Sequence, residues 1–234
     1  MTGLSSIVMN PYLLLLLSCH LLSDYYFQSQ KMADRKDQDR KVLGLHILYV
    51  ALPLIVVSFC HLDLWWICLI ILLTHAVIDY GKPWVQKQLH LTAAWTFALD
   101  QFLHIGIISF LVLWGAKNGT TYLPTDILKL IFYVLIVGKP TNIVFKILFA
   151  KYQLTMADKM DTITGAGSMI GFLERLVIGS CLVYGQFASI GLVFTAKSIA
   201  RYNKISENPA FAEYYLIGSL FSILSALFAA WLCL

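Results

Sequence analysis

Residues 64–81 read LWWICLIILLTHAVIDYG, eighteen residues whose one formal charge is Asp79, with His75 four positions before it. A run of this length crosses the ~30 Å hydrocarbon core of a bilayer as a helix. A carboxylate inside such a helix costs on the order of 2.5–3.5 kcal/mol on insertion scales, so Asp79 is expected to face a cavity, a partner or a metal. His75 and Asp79 share one face of the helix because residues four apart lie one above the other.

The surrounding chain has the same character. It is 234 residues long, 59% hydrophobic and 13% charged, whereas a soluble domain carries about 25% charge. An ordinary soluble domain is excluded. The net charge of +4 is spread between apolar runs and forms no patch for nucleic acid, so the expected partner is the lipid bilayer. Five scattered cysteines without a C-x-x-C pair argue against a disulfide framework or a thiolate zinc site. The first 30 residues hold no Lys or Arg, so the first apolar segment is expected to be a retained helix.

Read for runs of ~20 apolar residues, the chain gives an all-α polytopic bundle of about eight spans: 4–27, 42–60, 64–81, 96–115, 126–149, 167–185, 187–203 and 211–233. The weakest boundary is Tyr184-Gly185-Gln186. Lys31, Arg35, Lys36, Arg40 and Lys41 form the strongest basic cluster and are expected in the cytoplasm, with both termini outside. Two halves are expected, 1–115 and 116–234. Asn118-Gly119-Thr120 reads as a turn rather than a glycosylation acceptor.

The pattern His-x-x-x-Asp-Tyr recurs, as HLLSDY from His20 to Tyr25 and HAVIDY from His75 to Tyr80. Each copy is followed on the next span by Leu-His-Ile, centred on His46 and His104. The first four spans therefore read as two parallel helix-pair repeats. His20 with Asp24, His75 with Asp79 and Asp100 with His104 each share a helical face, at similar depth. Four histidines (His20, His46, His75, His104) and three aspartates (Asp24, Asp79, Asp100) make a mixed N/O donor set for a divalent transition metal, Zn first. The competing readings are a structural or proton-relay network and, with less support from the aspartates, a haem site.

In the second half, Glu174 lies about two turns inside a span and needs a cation, for which Arg175, Lys197 and Arg201 are available. Together with Lys139 these residues are candidates for binding a charged substrate group, against the alternative of a structural ion network. Gly138-Lys139-Pro140 is expected to break the fifth span and free the carbonyl near residue 136.

The strings HLLSDYYFQ, LTHAVIDY and LDQFLH resemble a bacterial membrane family known as domain of unknown function 3307, as do GFLERLVI, AKSIARY and AEYYLIGSL. The resemblance implies a bacterial inner-membrane protein and carries no activity with it. The residues themselves suggest a metal-dependent hydrolase of a lipid or other amphiphile, with Asp24, Asp79 and Asp100 as catalytic carboxylates. Its ligand types are similar to those of intramembrane His/Asp zinc hydrolases such as alkaline ceramidases, by analogy only. The alternatives are an ion-coupled or metal-ion transporter and a non-catalytic assembly subunit. Whether the chain is an enzyme is left open, as is a homo-oligomer.

Overall fold

A computed structural model describes residues 10–116, 121–153, 163 and 165–234. The expected turn at Asn118-Gly119-Thr120 and the start of the first expected span lie outside the described residues. Among those described, all regular structure is helical. The chain is a membrane-type protein: six stretches, Arg40–Cys60, Leu62–Gln88, Ala93–Gly115, Thr125–Leu148, Ala166–Val183 and Pro209–Cys233, are long and apolar enough to cross a membrane. Their outward faces carry side chains such as Phe59, Trp114 and Trp231, which would be out of place against water.

The chain divides into two compact units, up to Leu135 and from Ile136. In the first, α1 (Pro11–Leu21) packs against α3 (Arg40–Cys60) and α5 (Ala93–Gly115), and α4 (Trp65–Gln88) packs against both α3 and α5. Four helices thus close a ring whose interior receives the polar stripes. Asn10 caps α1 by accepting from the Tyr12 and Leu13 amides at 3.0 and 3.2 Å, and Pro11 occupies the first helical turn, where no amide is needed.

Past Leu21 the first helix continues as a π-turn, Leu22–Phe27, which contains Asp24. The chain then turns, and the short α2 (Gln30–Arg35) begins at Ser29, whose hydroxyl accepts from the Met32 amide. Gln28 is thereby extended backbone beyond the helix. Inside α4, Pro83 has no N–H to offer the carbonyl of Asp79 four residues earlier.

Helix α6 (Thr125–Val137) is followed by Gly138 and then α7 (Lys139–Leu148), which places the expected break at the Gly-Lys-Pro sequence. In the second unit α8 (Ala166–Val183) packs against α7, α9 (Phe187–Ile199) and α11 (Pro209–Cys233), while the short α10 (Tyr202–Glu207) packs against α11. The turn between α8 and α9 uses Gly185 at φ +67°, a conformation that suits glycine. At 13 residues, α9 extends only about 20 Å, short of a full hydrocarbon core.

Candidate metal centre

All seven expected ligands face the interior of the four-helix ring and all are buried: His20, Asp24, His46, His75, Asp79, Asp100 and His104. The nitrogens of two facing helices meet first, with His46 Nε2 and His75 Nε2 3.2 Å apart. Asp79 Oδ2 lies 3.1 Å from His46 Nε2 and 3.6 Å from His75 Nε2. Asp24 Oδ1 lies 3.6 and 3.4 Å from the same two nitrogens. Either carboxylate therefore completes a triangle with the two imidazoles. Metal–ligand bonds of 2.0–2.1 Å in a tetrahedral centre separate neighbouring ligand atoms by roughly 3.3 Å, so these triangles have the dimensions of one face of such a centre.

The two remaining histidines are held so that an unprotonated nitrogen is left over. His104 Nδ1 is 2.8 Å from the backbone carbonyl of Asp100, which can only accept, so Nδ1 carries the proton. In the neutral ring Nε2 is then a bare lone pair, and it is buried with no hydrogen-bond partner. For His20 the same logic runs through Gln101. The Gln101 amide donates to Asp100 Oδ2 at 3.1 Å, which turns its oxygen toward His20 Nε2 at 3.3 Å. His20 Nε2 donates, and Nδ1 is left without a hydrogen bond, 3.8 Å from Asp24 Oδ2. Ligating histidines are commonly oriented in this way by a partner on the other ring nitrogen.

Rings and carboxylates are crowded around the shared volume. His75 and His104 meet edge to face at 4.2 Å between centroids, and His20 stacks on His104 at 5.2 Å. Oxygens without a hydrogen bond occur at Asp24 Oδ1, Asp79 Oδ1 and Asp100 Oδ1, although ring nitrogens and Lys82 lie 3.4–3.6 Å from the first and the last. Buried polar atoms without partners are uncommon in folded proteins, and so many in one place fit a group that accepts several lone pairs at once. A divalent cation is such a group, and the donor set suits it.

Two lysines lie beside the centre: Lys36, which the basic cluster marks only for membrane orientation, and Lys82. Lys36, just after α2, turns inward and donates to Asp79 Oδ2 at 2.8 Å, with the side chains 6% and 1% exposed. Burial opposes its charge, but the carboxylates of Asp79, Asp24 and Asp100 more than offset this and raise its pKa above the ordinary lysine value. Lys82 lies 3.6 Å from Asp100 Oδ1. No motif signal distinguishes these lysines from their neighbours in the basic loops; only the π-turn and the short α2 bring Lys36 round.

Two cavities reach the centre. One, of about 510 Å³, is polar and is lined by Lys36, Asp37, Asp39, Arg40 and Asp79 among others. The second, of about 300 Å³, is walled by Val77, Trp84, Leu99 and Leu103 and reaches Asp100 and Lys82.

The residues expected to bind a charged group lie in the second unit. Glu174, Arg175, Lys197 and Arg201 line one cavity of about 430 Å³, while Lys139 is exposed at the start of α7 and is not part of that lining. Lys197 Nζ donates to Glu174 Oε2 at 2.7 Å and to Ser219 Oγ at 3.1 Å. Arg175 donates to the Val137 carbonyl at 2.6 Å, to Asn142 Oδ1 at 2.7 Å and to Ser222 Oγ at 3.4 Å. Thr141 Oγ donates to the Ile136 carbonyl at 2.7 Å. The backbone freed at the broken helix is thus satisfied by side chains, and Arg175 stabilises the break.

No curated protein and no solved structure matches the chain. Residues 12–128 match the family described as protein of unknown function (DUF3307), a stretch that holds all seven candidate ligands and both lysines beside them but stops before GFLERLVI. By that match, centred on the unit that carries the candidate metal site, the chain belongs to the DUF3307 family.

Proposed function

We propose that the first unit is a membrane-embedded, metal-dependent hydrolase acting on a lipid or another amphiphile. The observation that carries this reading is the position of the His/Asp centre between a polar cavity at Asp79 and an apolar groove at Asp100. Water would approach the centre at Asp79 and an apolar chain at Asp100. His46, His75, Asp24 and Asp79 would hold the ion, and His20 and His104 would add nitrogen donors. A Zn²⁺ ion held there would supply a water of lowered pKa, about 7, and a Lewis acid for a carbonyl or phosphoryl oxygen. Asp100, steadied by Gln101 and Lys82, accepts the proton. Lys36 orients Asp79 through the 2.8 Å contact of its ammonium with Oδ2.

The reading includes two parallel helix-pair repeats in a bacterial inner-membrane protein of eight spans. Residues 30–41 and 151–165 lie in the cytoplasm, and the shorter α9 counts among the spans. The near-equal ring separations of the His20–His104 and His46–His75 pairs, 5.2 and 5.3 Å, support the repeat. The basic loops support the orientation: an impermeant thiol reagent applied outside is expected to spare a cysteine at position 35 and to label one at position 117, and the reverse pattern overturns it.

An ion-coupled carrier is the second reading. It is favoured by the Lys36 ammonium seated on Asp79, an internal cation that a proton or metal would displace. The two readings part on turnover. Purified protein is offered phospholipids, ceramides and acyl esters, with products read by mass spectrometry. Hydrolysis is expected to stop with chelator and to fall about 100-fold or more in Asp100→Asn with metal content unchanged. Absence of product from every class, or hydrolysis indifferent to both treatments, rejects the hydrolase.

A further inference from the structure

The cavity of the second unit has a charge pattern that its own residues leave unfinished. Glu174 is 6% exposed; Oε2 is taken by Lys197, but Oε1 is buried with no hydrogen-bond partner. A carboxylate only accepts, so that oxygen calls for a donor beyond the described residues. Arg201 and Lys146 also line the cavity, and neither has a carboxylate partner among the described residues. The site lacks an anion at one place and a donor at another.

The helices order these groups by depth. Lys146 is near the end of α7, Gly167 and Ser168 begin α8, Arg201 follows α9 and Phe211 is near the start of α11, so the mouth lies at one end of the unit. Glu174 is eight residues along α8, about 12 Å deeper than Ala166. Beside it Phe145 contacts Tyr214 and Phe221, with ring centroids 5.7 and 5.4 Å apart, forming an apolar wall. Cations at a membrane-facing end meet phosphate at headgroup level, and a polar acceptor below them meets whatever donor hangs beneath that phosphate.

We infer that this cavity binds a single-chain phosphoglyceride: phosphate on Arg201 and Lys146, the free glycerol hydroxyl on Glu174 Oε1, and the acyl chain along Phe145 and Phe221. The inference goes beyond the hydrolase reading and stands without it, since none of these residues belongs to the His/Asp centre. It also accounts for the Lys197–Glu174 pair, in which Lys197 holds one carboxylate oxygen and leaves the second without a donor.

The test uses native mass spectrometry of the full chain in detergent with 1-oleoyl lysophosphatidic acid. One molecule per chain is expected. Binding should weaken at least tenfold for the 2-acetylated analogue, which lacks the hydroxyl, for glycerol 3-phosphate, which lacks the chain, and for mono-oleoylglycerol, which lacks the phosphate. Arg201→Gln and Lys146→Gln, at partly or fully exposed positions, should each weaken binding about fivefold or more, and His75→Ala should leave it intact. Equal binding of all four probes overturns the proposal, as does an unaffected Arg201→Gln/Lys146→Gln double variant. Glycerol 3-phosphate binding as tightly as the lysolipid would identify a soluble phosphate site instead. Loss of binding in His75→Ala would move the ligand to the metal centre.

Discussion

The two units handle charge inside apolar helices in opposite ways. In the first, three carboxylates and four imidazoles meet two lysines, and several lone pairs remain unused. In the second, four cations line a cavity that holds one carboxylate, and the deepest cation, Arg175, is bound to a carbonyl, an amide and a hydroxyl. On the proposed readings the buried cluster of the first unit would receive a cation and the cavity of the second an anion. The family match, residues 12–128, falls within the first unit and ends before the second begins.

The largest effect expected from breaking this contrast is at Lys36. In metal-free protein Lys36→Met leaves Asp79 buried beside its histidines with no ammonium, at a cost of about 3–5 kcal/mol. With metal loaded the cost should shrink, because the ion supplies the missing charge. Thermal unfolding of both forms measures the difference; an equal loss in each would show that Lys36 and the metal do not share Asp79.

A smaller effect is expected at the second unit's pair. Lys197 is 20% exposed on its side chain, so Glu174→Gln or Lys197→Met alone should cost about 1–3 kcal/mol, less than a fully buried pair. The double variant should cost less than the two singles combined. Additive losses in the double-mutant cycle would mean that the 2.7 Å contact contributes nothing.

The smallest is Thr141→Val, which removes the hydroxyl that satisfies the Ile136 carbonyl at the broken helix. A loss of about 1 kcal/mol is expected, read as a fall of a few degrees in unfolding temperature. No change would mean that water or another group serves that carbonyl.

The buried His and Asp residues of the candidate centre were legible because helical periodicity acts on them directly: His and Asp four apart in an apolar run share a face. The break at Gly138-Lys139-Pro140 was legible for an equally local reason, a proline without a donor. The groups that orient the ligands were not. Lys36 reads as one more positive charge in a basic loop, and only the π-turn at Leu22–Phe27, which no residue in LSDYYF announces, swings the chain so that it points inward. Gln101 looks like any polar neighbour of an aspartate until its amide is seen between Asp100 and His20. In the second unit the Glu174 partner was one of three available cations, and the choice of Lys197 depends on how α8 and α9 pack.

The central claim, that the first unit is a metal centre, is tested most directly by elemental analysis of protein purified without chelator. At least one transition-metal ion per chain is expected in the wild type, with His46→Ala and His75→Ala reduced to a small fraction of it. His90→Ala, an exposed loop residue outside the centre, should retain it in full. A wild type without metal, or site variants that hold as much as His90→Ala, would contradict the account, and a Soret band would reassign the histidines to haem.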